Sequence, residues 1–139
     1  MALIYISEGR LRIDEIIDNL LIQGEDLSVY YDMINAKVES VCNANGVLTA
    51  DIPVDDITGY VTSSTLSLYA TYYGLWIINN GYRGVGMGNN DDVYGGSAEK
   101  WETLYKDEEK NITKEVILGD TGTVIINPQN TISQGFFAI

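Results

Sequence analysis

Between Leu66 and Ile78 the chain reads LSLYATYYGLWII, thirteen residues without a charge. A helix that is apolar on every side belongs at the centre of a packed structure, because it has no face to offer to water. Thirteen residues fall well short of the ~20 needed to cross a bilayer. Thr62-Ser63-Ser64 supplies a cap at its start and Asn79-Asn80-Gly81 a stop at its end. The rest of the chain must therefore provide the elements that surround this helix.

Two amphipathic helices precede it. After Ser7, a candidate N-cap, Ile13, Ile16, Ile17, Leu20 and Leu21 recur at helical spacing as far as Gln23-Gly24. Asp26 or Ser28 caps a second helix with an apolar face of Tyr30, Met33, Ile34, Val38, Val41 and Cys42, ending at Asn45-Gly46. Cys42 lies on that stripe and reads as a small buried hydrophobe. From Val47 to Thr62 the periodicity fails, and Pro53, Asp55-Asp56 and Gly59 mark a connector.

Beyond the central helix, Gly81 to Gly96 contains six glycines and reads as a long flexible loop. Ser97 caps a fourth helix bearing Ala98, Trp101, Leu104, Tyr105 and Ile112. Glu115–Leu118 and Thr123–Ile126 then read as two short strands about a Gly119–Gly122 turn. The expected fold class is mainly α: a four-helix body with a C-terminal β-hairpin and an extended arm. The body spans 1–114, with the glycine-rich loop at 81–96, and the hairpin and arm span 115–139.

Charge and residue types exclude several functions. Eight Lys and Arg face twenty Asp and Glu, a net charge of −12, so a phosphate-gripping surface is not expected. The absence of histidine removes the commonest general base and metal ligand. The pairs Asp14-Glu15, Asp55-Asp56, Asp91-Asp92 and Glu108-Glu109 read as ionised surface acids. Gly84-Val-Gly86-Met-Gly88 follows a helix rather than a strand, against a dinucleotide loop. Asn89-Asn90-Asp91-Asp92 lacks the alternation of a helix-flanked calcium loop. Tyr69, Tyr72 and Tyr73 lack the basic neighbours of a single-strand stacking platform and read as packing residues. No catalytic residue, cofactor or metal is expected, and the chain is not expected to be an enzyme. MALIYISEGR is too short and polar for a signal peptide, and no apolar run suggests a membrane partner. The chain closes on SQGFFAI, whose Phe136, Phe137 and Ile139 require cover from the chain itself or from another subunit.

The order of these pieces resembles the small head-to-tail connector proteins of tailed bacteriophages, also called adaptor or head-completion proteins. The resemblance is carried by a short helix after Tyr5-Ile6-Ser7, a second helix at Val29–Asn45 built around AKVESV (Ala36–Val41), and the Ile52-Pro53 link. It continues through the Leu66–Ile78 helix, a long loop, a late helix at Ala98–Lys110 and a trailing arm. It covers residues 5 to 115 by order and spacing; the glycine-rich loop and the hairpin depart from it. The resemblance implies a structural virion protein in the phage neck, assembled in the host cytoplasm. Its homo-oligomeric ring, usually of twelve subunits, would lie between the portal protein and a tail or stopper protein, around a channel that DNA traverses without sequence-specific binding. It also implies that Asn127, Ile132, Phe136, Phe137 and Ile139 meet the portal or a neighbouring subunit, and that Tyr82, Arg83, Val85, Met87 and Tyr94 make contacts from the flexible loop. The alternatives are an acidic cytoplasmic binding module, such as a DNA-mimic inhibitor, and a tail-terminator protein.

Overall fold

The computed structural model describes residues 5–83 and 93–119. These form α1 (Glu8–Leu11), α2 (Glu15–Ile22), α3 (Ser28–Ala44), a single 3-10 turn (Thr49–Asp51), α4 (Ser64–Gly81), α5 (Val93–Glu109) and α6 (Lys114–Gly119). The fold is mainly α, and among the described residues there is no strand beyond an isolated bridge between Val54 and Val61.

Helix α4 is the central element. Ser63 caps it, its Oγ accepting from Leu66 N at 3.1 Å. Its Leu66, Tyr69, Ala70, Leu75 and Ile78 are buried, and it touches α1, α2, α3, α5 and α6, most extensively α5 and then α3. Both long neighbours run antiparallel to it. Tyr82 meets Tyr94 at one end of the α4–α5 pair, while Tyr69 reaches Glu109 at the other. On the α3 side, Gly74 lets the backbones approach: a Cβ there would lie 2.6 Å from Ile34 Cδ1 and 3.1 Å from Leu11 Cδ2.

The anticipated first helix is two. The chain breaks at Arg12–Asp14, Leu11 packs into the core, and Ile13 is exposed. The cause is Asp14, which caps α2 by accepting from Ile16 N at 2.8 Å and turns the chain there. On α3 the buried stripe is Tyr31, Ile34, Asn35, Val38, Val41 and Cys42, so Tyr30 and Met33 lie at its margin. A polar residue, Asn35, occupies a core position that apolar periodicity does not reveal.

The C-terminal half differs from expectation in three places. Ile112, expected on the fourth helix, follows the end of α5 at Glu109 and is buried from the link. Val93–Gly96 belongs to α5 rather than to the glycine-rich loop, so Ser97 lies within the helix and does not cap it. Residues Glu115–Leu118, read as a strand, are helical in α6. Thr113 overrides the β-preference of Val116 and Ile117: its Oγ1 accepts from Val116 N at 3.1 Å and its carbonyl from Ile117 N at 2.9 Å. That turn buries Ile117 in the common core. The second expected strand, Thr123–Ile126, lies outside the described residues. No helix among the described residues is long and apolar enough to cross a membrane.

Candidate interaction surfaces

Buried polar chemistry centres on Asp14. Its Oδ2 accepts from Trp101 Nε1 at 2.6 Å and from Asn79 Nδ2 at 3.3 Å, while Oδ1 caps α2. One carboxylate thereby ties α2, α4 and α5 together. Asp14 is buried, contrary to the expectation of a surface acid, because its oxygens find in the protein the donors that water would supply. All its contacts are structural. No cluster of three or more metal-ligating side chains occurs among the described residues.

Four tyrosine hydroxyls each donate to a glutamate: Tyr5 to Glu39 at 2.9 Å, Tyr69 to Glu109 at 2.8 Å, Tyr82 to Glu25 at 2.8 Å, and Tyr31 to Glu8. These bonds tie α1 to α3 and α4 to α5, the segment before α1 to α3, and the end of α4 to the link between α2 and α3. Burial, then the carboxylate acceptor, pushes the Tyr5 and Tyr82 phenols up to about 12 and raises those of Tyr31 and Tyr69 as well. Tyr72 stacks on Trp101 at 5.6 Å, and Trp76 on Tyr105 at 5.1 Å. The tyrosine-rich run of α4 thus serves internal packing.

Of the residues assigned to the flexible loop, Tyr82 and Tyr94 face each other with ring centroids 5.6 Å apart, and Tyr30 lies 6.3 Å from Tyr82. They brace the two ends of the α4–α5 connection. Arg83 hydrogen-bonds Asn80 and lies 4.0 Å from Glu99, within the same body. Val85 and Met87 lie outside the described residues, as do Asn127, Ile132, Phe136, Phe137 and Ile139.

Two surface features escape the sequence reading. The first is the turn between Val54 and Val61, where Asp55 Oδ1 accepts from Ile57 N at 2.8 Å and Thr58 N at 2.9 Å. The Asp55 N–H donates to Tyr60 O and the Gly59 N–H to Asp55 O, each at 2.8 Å, with Gly59 at φ +77°. The backbone donations from Thr58 and Ile57 hold the Asp55 carboxyl below its ordinary pKa. At the tip, Ile57 is 93% exposed. An Asp-x-x-x-Gly turn is a readable signal, but an apolar residue at its tip belongs to no periodic face.

The second feature is a shallow trough between α3 and α5. It comprises a concavity of about 490 Å³ lined by Lys37, Tyr105, Lys106, Glu109 and Lys110, and one of about 290 Å³ beside Met33, Lys37 and Tyr73. Lys37 is common to both, its Nζ 5.5 Å above the Tyr73 ring.

Comparison with protein-family models, with curated proteins and with solved structures gives no match.

Proposed function

We propose that the protein is a structural component of a tailed-phage neck: a ring-forming connector between portal and tail that extends the DNA channel and presents a docking surface for the tail. The observation that carries this reading is the enclosure of α4. Its sides are met by α1, α2, α3, α5 and α6, all within residues 5–119, so the body has an apolar core to which Phe136, Phe137 and Ile139 are not needed. Those side chains then serve as anchors on the portal or on an adjacent subunit, with Asn127 and Ile132 on the same arm. Burying each apolar side chain contributes roughly 1.5–3 kcal/mol before ordering costs. Repetition around a ring multiplies modest anchors through effective concentration.

The charge agrees with the same role. A net −12 per subunit disfavours retention of DNA, so a channel built from such subunits lets the duplex slide. The mainly helical body favours a connector over a tail-terminator, a class dominated by β-structure.

The test compares the full chain with one ending at residue 128, by electron microscopy with and without the portal protein. The full chain is expected to join the portal as a ring. The shortened chain is expected to fold normally and fail to join. A shortened chain that still joins the portal contradicts the assignment of the arm.

A further inference from the structure

We infer that the Val54–Val61 turn of one copy docks, through Ile57, into the α3–α5 trough of a second copy, making a head-to-tail contact. The inference rests on the self-assembly in the neck reading and names the surfaces that carry it.

Charge is the first argument. Between Val47 and Thr62 the chain carries Asp51, Asp55 and Asp56 and no basic residue, and all three acids are exposed. The trough gathers Lys37, Lys106 and Lys110, three of the eight basic residues in a chain of net −12, against one lining acid, Glu109, which accepts from the Tyr69 hydroxyl at 2.8 Å. Lys106 and Lys110 each lie near a helix acid, Glu102 at 3.1 Å and Asp107 at 3.8 Å. Lys37 has no carboxylate partner among the described residues. Met33, Tyr73 and Tyr105 give the trough an apolar lining suited to an isoleucine side chain. An apolar tip flanked by acids thus has its complement on the same molecule.

Rigidity is the second. Asp55 and Gly59 lock the turn, and its base is tied to the body by Val61 N donating to Tyr5 O at 2.8 Å. A preorganised projection loses little conformational freedom on binding, so one buried isoleucine contributes more of its worth to affinity.

Placement is the third. Tyr5, which anchors the turn, bonds Glu39 on α3, whereas the trough is lined by Lys37. Two residues apart on a helix, these side chains diverge by roughly 160° and flank the buried stripe on opposite sides. The anchor of the projection and the trough therefore lie on opposite sides of the buried stripe of α3. They are two different surfaces, so a contact that joins the projection of one copy to the trough of the next is heterologous, the kind that closes into a ring or runs on as a filament.

The test uses the full chain, with sedimentation velocity across a concentration series at low and high salt. Ile57→Arg removes the projection and leaves the trough; Lys37→Glu does the reverse, with Lys110→Glu as a second trough variant at an exposed site. Circular dichroism checks folding of each. Wild type is expected to self-associate, less so at high salt, and Ile57→Arg to weaken association about ten- to hundredfold. The decisive arm is the mixture: Ile57→Arg with either trough variant retains one intact projection and one intact trough, and forms a one-to-one dimer that neither forms alone. A wild type that stays monomeric, an Ile57→Arg chain that associates like wild type, or a mixture without dimer overturns the contact. Rings indifferent to these substitutions contradict this contact and leave the neck reading standing. Chains joined through Ile57 that never engage a portal do the opposite.

Discussion

Trp101 Nε1 donates to Asp14 Oδ2 across 2.6 Å, joining residues 87 positions apart in sequence within the buried body. Asp14→Ala removes the α2 cap and leaves the Trp101 donor without its acceptor, while Asn79 Nδ2 keeps its bond to Leu75 O at 2.8 Å. The expected loss is about 2–4 kcal/mol. Trp101→Phe keeps most of the ring packing and is expected to cost about half as much, roughly 1–2 kcal/mol. Urea unfolding monitored by circular dichroism measures both.

Two glycine-to-alanine substitutions should differ in sign. At Gly74 a Cβ runs into Ile34 and Leu11, both fully buried, so the overpacking outweighs the gain in helix propensity, for a net loss of about 1 kcal/mol. At Gly96, inside α5, a Cβ meets nothing within 4 Å, and Gly96→Ala should stabilise by about 0.5–1 kcal/mol. Thermal unfolding of the two variants beside wild type decides both.

The tyrosine–glutamate bonds predict an alkaline limit. Tyr5 and Tyr82 hold their protons up to about 12 in the folded protein, against about 10 for an unfolded tyrosine. Between these values the folded state binds more protons than the unfolded one, so stability falls as pH rises. This contribution is fully present below about pH 10 and is lost as pH passes through about 12. Unfolding midpoints against pH, followed with tyrosinate absorbance, should show the decline. Tyr5→Phe and Tyr82→Phe should flatten it.

Cys42 is fully buried and its thiol is pushed up to about 11 by burial and by Glu39. A thiol reagent at neutral pH should react only as fast as the protein opens. Rapid labelling of the native chain would contradict the placement of α3.

What was legible in sequence follows from how local its cause is. Helix α4 is dictated by an uncharged run with a serine cap beside it, and both signals are adjacent in the chain. The break before α2 is not legible, because Ile13 keeps helical spacing while Asp14 is held by Trp101 and Asn79 from distant helices. The strand expected at Glu115–Leu118 failed because one hydroxyl, on Thr113, outweighed the β-branched pair that follows it. The start of α5 was hidden by Gly95-Gly96, whose weak helix propensity is overcome where Tyr94 meets Tyr82 and Gly95 is buried. The surfaces were least legible of all. Ile57 stands out only once Asp55 is seen to fold the chain around it, and the trough needs α3 and α5 side by side.

The most direct test of the central claim, that the body folds on its own and the carboxyl-terminal arm serves a partner, compares the full chain with residues 1–128 by thermal unfolding and by portal binding in one preparation. The account predicts equal unfolding midpoints and loss of portal binding by the shortened chain. A lowered midpoint with binding retained would contradict it, because the arm would then belong to the body's own core.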